Sequence, residues 1–475
     1  MAQLITIDPV TRIEGHSKIT IKLDDQGQVD VARLHITQFR GFEKFTEGRP
    51  FQEMPSLTAR TCGICPISHL LASAKACDDL MAVRIPDAAV SLRRLINYAQ
   101  IIQSHALSFF HLSSPDLLLG MDSDPASRHI LGVAAKFPEL AKDGIWLRKF
   151  GQQVIERMSG KRIHPTWIVP GGVSHPLSAA TRDQIVAELP QAMAIARKTL
   201  DWYKPVIRMF QEEIAIFANF PSLFLGLVSP DGTIEHYDGL MRVVDAQRKI
   251  VVDRLEAHDY PDYIAEAVEP DSYLKSPYFK PLGYPEGMYR VGPLARLNVC
   301  ERMGTPLAEV ELAEFRALQP EGAVLSSFHF HYARLIELLH ALERVSELLG
   351  SPEIVSTQVR AIADPNKREG IGVSEAPRGT LIHHYRIDEN GLITWANLII
   401  ATGHNNLAMN QGITQAAKHF VKQEKITEGA LNRVEAVIRC YDPCLSCSTH
   451  ALGEMPLRIE LEDSCGEIVD TCERG

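Results

Sequence analysis

Two C-x-x-C pairs, Cys62/Cys65 and Cys444/Cys447, stand 382 residues apart in a chain of 475 residues. Random placement of nine cysteines in such a chain yields roughly 0.17 pairs of this kind, so two are a signal and their separation is a constraint on the fold. Each pair has a histidine close behind it, in RTCGICPISH (residues 60–69) and DPCLSCSTH (residues 442–450). Four thiolates converging from two loops make a soft, electron-rich cage that suits zinc, an iron-sulfur cluster or a redox-active late transition metal. Residue type alone leaves these three open. A structural zinc module places its pairs about 15 to 20 residues apart because the metal folds that module, and a span across the chain has no such local task. A thioredoxin-type motif needs one pair within a βαβ pattern, which is absent here. The odd cysteine count and the lack of disulfide-framework spacing favour metal or redox chemistry over cross-links. Cys77, Cys300, Cys440, Cys465 and Cys472 have no metal-type spacing and read as buried free thiols.

With 45% hydrophobic and 23% charged residues the chain has material for a large core. A formal charge of -10 without a Lys/Arg cluster argues against nucleic acid as a partner. No apolar run reaches membrane length, and MAQLITIDPVTRIEGH lacks both a signal peptide's apolar core and a twin arginine, so a cytoplasmic chain without a transmembrane segment is expected. No G-x-G-x-x-G loop appears, and NAD has no site in this chain.

LITI, SKITIKL and VDVARLHIT alternate apolar and polar positions, with a turn at Asp24-Asp25-Gln26-Gly27. The period becomes helical from Pro66 to about Leu80, and long helices are predicted at 87–112, 135–158, 181–217 with a break near Pro205, and 326–349. GTLIHHYRIDENGLITWANLII predicts a hairpin around Asn390-Gly391, followed by helix and the second cysteine pair. The fold class expected is mainly α with α+β parts: a long-helix bundle core with small antiparallel sheets near the N-terminus and in the C-terminal third. Five segments follow: an N-terminal sheet (1–60), a helical bundle with the first cysteine motif (61–220), an irregular Pro-, Gly- and Tyr-rich wrapping segment (221–320), a helix, hairpin and second cysteine motif (321–450), and a C-terminal extension (451–475).

The two cysteine motifs resemble the paired signatures of nickel-iron hydrogenase large subunits. The resemblance continues, in the family's order, through DPVTRIEGH (8–16), FRGFEKF (39–45), VGPLAR (291–296) and EAPRG (375–379). Within that family RGFEKFTEGRP, ICPISHLLA and QSHALSFFHLSSPD look most like the cytoplasmic, bidirectional, NAD-reducing type. A related subunit of respiratory complex I shares the fold but lacks the thiolates, so retention of all four favours hydrogenase activity.

The resemblance implies that Cys62, Cys65, Cys444 and Cys447 ligate nickel. Cys65 and Cys447 would also bridge to an iron carrying cyanide and carbon monoxide. Dihydrogen is a very weak acid, so its heterolysis needs a polarising metal and a nearby base, and the terminal thiolate of Cys444 can be that base. Glu14 resembles the carboxylate that relays the proton onward; by residue type alone it is a surface or capping glutamate. Arg378 resembles the arginine lying over the open side of the metal pair, where a guanidinium supplies directed donors and charge, and is otherwise a salt-bridged turn arginine. Thr402 sits where relatives hydrogen-bond a cyanide, with Ala401-Thr402 in place of the Pro-Ser common there. Glu43, the backbone carbonyl of Leu398 and His450 match a second, magnesium-like site. His69 and His111 read as structural hydrogen bonders, and Ser104 stands where many relatives carry aspartate.

Relatives are made with a C-terminal extension that a maturation protease removes after the last motif histidine, once metal-insertion proteins have loaded the site. MPLRIELEDSCGEIVDTC reads as a hairpin that holds the terminus outside until cleavage, or as a permanent terminal hairpin. The chain has too few paired cysteines for an electron wire of its own. The resemblance therefore implies two partners, a diaphorase module that binds NAD and an iron-sulfur small subunit. The competing reading is a metal-free or zinc-stabilised structural subunit of a respiratory-complex-like assembly.

Overall fold

The computed structural model describes residues 4–422, 426–449, 457–462 and 468–474. Strands β1 (Leu4–Ile7), β2 (Ser17–Leu23) and β3 (Val29–Ile36) form the predicted antiparallel sheet, with Ile7 opposite Ile19 and Ile19 opposite Leu34. The isoleucines and leucines that β2 and β3 turn inward are buried.

Helix α1 (Pro66–Met81) starts on proline, whose missing N–H is unpaired at a first turn anyway. Helices α2 (Asp87–Leu107), α3 (Pro138–Ser159) and α4 (Ala179–Val206) follow. The predicted 87–112 helix passes at Ser108–Ser113 into a wider π turn ahead of Pro115. The 135–158 helix divides at Pro138 into Ile130–Lys136 and α3. Near Pro205 the chain leaves α4 and resumes as the short helix Gln211–Ile216.

The segment 221–320 is not irregular throughout. Strands β4 (Leu223–Val228), β5 (Leu240–Val244) and β6 (Ile250–Leu255) form an antiparallel sheet, and Tyr289–Arg290 adds to β4 in parallel. Every residue of β4, LFLGLV, is buried, so it shows no alternation by which a strand is read.

Helix α5 (Phe330–Gly350) leads to the C-terminal sheet of β7 (Glu369–Ala376), β8 (Gly379–Ile387) and β9 (Ile393–Ile399). The β8–β9 turn carries Asn390-Gly391 as predicted, while β7 is an addition. β7 lies against the backbone of α1: a Cβ on Gly372 would stand 2.0 Å from the Ala72 carbonyl oxygen. Only glycine permits that approach, which brings the helix behind Cys65 onto the sheet behind Arg378. Helices α6 (Asn406–Phe420) and α7 (Glu428–Tyr441) end the body, and Leu457–Glu462 pairs with Ile468–Arg474 as the expected terminal hairpin. Among the described residues no helix is long and apolar enough to cross a membrane.

The two ends of the body are tied together by buried charge. Asp116 accepts from Arg12 (2.5 Å), Arg439 (3.0 Å) and Asn432 (3.1 Å), and the Thr11 N–H donates to Glu435 (2.7 Å). Burial pushes the Asp116 carboxyl up, but Arg439 and Arg12 outweigh it and hold it below the usual range. Asp116→Asn would remove the carboxylate that Arg12 and Arg439 share, leaving Arg439 only Glu435 at 3.5 Å, and is expected to cost about 3–5 kcal/mol. A chemical-denaturation midpoint unmoved by that substitution would contradict this role.

Candidate metal centre

Cys62 follows a short turn at Ala59–Thr61, and Cys65 occupies the cap position of α1. Cys444 and Cys447 follow α7, which ends at Asp442 in the left-handed conformation (φ 55°). The two ends of the chain meet here. Sγ–Sγ distances are 3.3 Å for Cys62–Cys444, 3.4 Å for Cys65–Cys447 and 2.8 Å for Cys444–Cys447, and all four sulfurs lie within 4.8 Å of one another. None of the four residues is more than 4% exposed. Four thiolates about 2.3 Å from one tetrahedral metal stand roughly 3.8 Å apart, and the observed cluster brackets that figure. Even 2.8 Å is too long for a disulfide at about 2.05 Å.

Hydrogen bonds from Cys444, Cys447 and Cys62 hold the Cys65 thiol well below its ordinary range, while burial pushes Cys444 and Cys447 well above theirs. A soft cation held by these sulfurs would favour their thiolate forms.

The loops are fixed from several sides. Backbone N–H groups of Ile64 and Cys65 point at Cys62 Sγ (3.2 and 3.3 Å), and Gln100 and Gln103 of α2 both donate to the Ile64 carbonyl (2.8 and 2.7 Å). His164 Nε2 meets the Cys62 carbonyl at 2.8 Å, a contact that no motif marks in advance. Thr402 Oγ1 accepts the Cys444 N–H at 3.0 Å, with Ala401 buried beside it at the start of the short helix Ala401–His404. Apolar side chains, among them Phe51, Met54, Leu80, Leu381 and Ile400, close the surroundings.

Arg378 sits in the tight turn between β7 and β8, where Ala376 pairs with Gly379. Arg296 of the VGPLAR motif holds that turn by donating to the carbonyls of Ala376 (3.0 Å) and Pro377 (3.3 Å), and is itself neutralised by Glu337 and Glu375, both at 2.6 Å. The Arg378 guanidinium donates to the Asp442 carbonyl and to Ser104 Oγ (3.4 Å), and faces the Asp442 carboxylate at 3.1 Å. Burial disfavours its charge, but Asp442 and the thiols of Cys444, Cys65 and Cys62 raise its pKa well above the usual value. Burial raises the Asp442 carboxyl in turn. Sequence reasoning missed Asp442, although its place two residues before Cys444 in D-P-C was a signal.

Glu14 is bound into the second cysteine loop. Its carbonyl accepts the Leu445 N–H (3.1 Å), and its carboxylate accepts the Ser446 N–H (3.0 Å). Gly15, at φ 89°, lies so close that a Cβ there would be 2.7 Å from Leu445 Cβ, so TRIEGH and LSC fit as one surface. Glu43 accepts the Leu398 N–H (2.8 Å), and burial pushes its carboxyl up to about 7. Lys275, Glu266 and Ser448 line the small cavity beside it. His450 lies outside the described residues. His111 belongs to the π turn, and burial lowers its pKa. His69, buried on α1, meets His383 Nε2 through Nδ1 at 3.3 Å.

Residues 40–126 and 236–450 match the family model described as nickel-dependent hydrogenase, and residues 4–39 match one described as HoxL-like. The chain is 43% identical to the NAD-reducing hydrogenase HoxS subunit beta of Cupriavidus necator over 99% of both proteins. It is 46% identical to the corresponding polypeptide of the vhu F420-non-reducing hydrogenase of Methanococcus voltae, over 88% of this chain and 99% of that one. Its fold superposes with a TM-score of 0.92 and 46% identity on the crystal structure of an NAD+-reducing [NiFe]-hydrogenase in the H2-reduced state, covering 94% of this chain and 99% of that one. The Ni-Fe-Se hydrogenase of D. vulgaris Hildenborough shares the fold at a TM-score of 0.78 and 24% identity, over 95% of this chain and 100% of that one. These matches do not favour a structural subunit without nickel. With four buried sulfurs at the meeting of its two ends, the chain belongs to the nickel-dependent hydrogenase family as a large, catalytic subunit.

Proposed function

We propose that this subunit catalyses reversible heterolytic cleavage of dihydrogen, passing electrons to an iron-sulfur small subunit, then through a diaphorase module to NAD. The observation that carries the reading is the quartet of Cys62, Cys65, Cys444 and Cys447, buried and within reach of one ion. The residues fit a nickel-iron pair. Thiolates are the ligands such metals prefer, and the buried Arg378, ion-paired through Nη2 with Asp442 at 3.1 Å, supplies positive charge that complements a cluster of thiolates. When bound, that pair, with cyanide and carbon monoxide on the iron, polarises dihydrogen.

The chain's own groups do the rest. Cys444 is the first proton acceptor, and Glu14, held on the N–H of Ser446, carries the proton away from the same loop. Arg378, kept charged by Asp442 and the neighbouring thiols, would donate to a cyanide on the iron. Thr402 spends an acceptor on the Cys444 N–H and keeps its hydroxyl proton for a second cyanide, beside Ala401. Glu43, the Leu398 carbonyl and His450 would hold magnesium, whose charge would favour the ionised Glu43 carboxylate that burial disfavours. The assembly works in the cytoplasm after metal-insertion proteins and a maturation protease have acted.

Glu14→Gln keeps the hydrogen bond geometry but cannot ionise. Nickel content is expected to stay at that of the unsubstituted enzyme while hydrogen/deuterium exchange slows by about 100-fold or more; undiminished exchange removes Glu14 from the relay. Intact mass of the active enzyme is expected to end at His450, and an active polypeptide retaining residues 451–475 refutes processing.

A further inference from the structure

Arg378 is anchored at its backbone and at its guanidinium, and both anchors run back to Glu337 in the middle of α5. The backbone anchor begins at Gly292, where an added Cβ would stand 2.7 Å from the Arg378 carbonyl oxygen, so the short helix Pro293–Val299 starts directly on the Arg378 turn. One turn into that helix, Arg296 reaches back to the carbonyls of Ala376 (3.0 Å) and Pro377 (3.3 Å). Its Nε and Nη2 donate to the two oxygens of Glu337, at 2.6 and 2.7 Å. The guanidinium anchor is Ser104 Oγ, 3.4 Å from Arg378 Nη1. The next residue of α2, His105, meets Glu337 Oε2 through Nε2 at 2.9 Å. Glu337, Arg296 and His105 are all buried.

We propose that Glu337 is a positioning residue for Arg378: it fixes the plane from which Arg296 donates to the 376–377 turn, and it holds the stretch of α2 that carries Ser104. This rests on the functional reading above, in which Arg378 donates to a cyanide on the iron. A guanidinium is flat, with five N–H bonds in a rigid fork. Two parallel bonds to one carboxylate therefore settle where the others point, and here they point at Glu375 (2.6 Å), Ala376 and Pro377. Glu375 cannot set the plane in this way. It accepts from Arg296 through one oxygen and takes the Leu227 N–H and the Thr380 hydroxyl on the other.

Burial opposes charge on both carboxylates and raises the Glu375 carboxyl, whereas at Glu337 the neighbouring Arg296 and His105 outweigh it and hold the carboxyl well below its ordinary range. Glu337 thus remains an acceptor on both oxygens. Burial pushes His105 down to about 4, so its imidazole is neutral with a single N–H, which the carboxylate claims for Nε2. One ionised group on α5 in this way joins the helix of Arg296, the turn of Arg378 and the helix of Ser104.

Glu337→Gln in the assembled enzyme keeps the shape and removes the charge, and its amide N–H2 faces donors, so one of the two bonds to Arg296 is lost. Nickel-loaded variant is expected to show infrared cyanide stretches displaced in the direction in which Arg378→Lys displaces them, because both changes alter the same donor. Within the Arg378→Lys background, Glu337→Gln is expected to add no further displacement. His105→Gln, which spares the ion pair with Arg296, is expected to move the bands the same way by less, and it carries the test if Glu337→Gln does not load nickel. A carboxylate that only stabilises the fold would lower the denaturation midpoint and leave the cyanide bands of the loaded enzyme in place. That result overturns the proposal, and so does an undiminished displacement in the Arg378→Lys background. Absence of nickel or of cyanide bands from the unsubstituted enzyme, or bands that Arg378→Lys leaves in place, instead defeats the functional reading, so the two failures are distinguishable.

Discussion

Four sulfurs crowded together, three of their contacts shorter than a van der Waals separation, in a site with almost no solvent contact, are the constraint from which the rest of the architecture follows. Burial disfavours the thiolate form at Cys444 and Cys447. A soft cation bound by all four sulfurs would supply the compensating charge, and its binding free energy would then add to that of the fold. The polypeptide must therefore present two loops from opposite ends of the chain at one point. It does so with contacts that bridge the ends: Asp116 between Arg12 and Arg439 on one side, and Glu14 and Gly15 pressed against Leu445 and Ser446 on the other.

Buried ion pairs often contribute no more to stability than a well-packed apolar equivalent. Their abundance here makes better sense as geometry. Arg296, fully buried, holds the backbone of the Arg378 turn while Glu337 and Glu375 neutralise it. An apolar side chain would fill the space without fixing two carbonyls. Arg378, so placed, faces Asp442 and the sulfurs together, and its charge persists because they are there. Each layer around the centre is thus set by the layer outside it, as donors to sulfur and to the loop carbonyls require.

Much of this was legible in the sequence where the signal is local. Alternation marked the N-terminal sheet, Asn390-Gly391 the hairpin, and Pro66 the start of the helix behind Cys65. The paired cysteines announced a metal centre through spacing alone, whereas the roles of Glu14, Arg378 and Glu43 came only with the family resemblance. What escaped has physical reasons. β4 is buried on both faces and has no period; β7, EGIGVSEA, is rich in small residues that allow close approach to α1; and the π turn at 108–113 depends on packing. Asp442, Arg296 and Glu337 act mostly on partners far away in the chain, and no local pattern encodes such pairings.

The central claim is that residues 62, 65, 444 and 447 surround one nickel ion. Nickel K-edge X-ray absorption on the purified complex addresses it most directly. About one nickel per chain is expected, with a nearest shell dominated by sulfur near 2.3 Å, roughly the distance of thiolate ligation to a late transition metal. A chain that binds no nickel, or whose nickel is surrounded by nitrogen and oxygen alone, would contradict it.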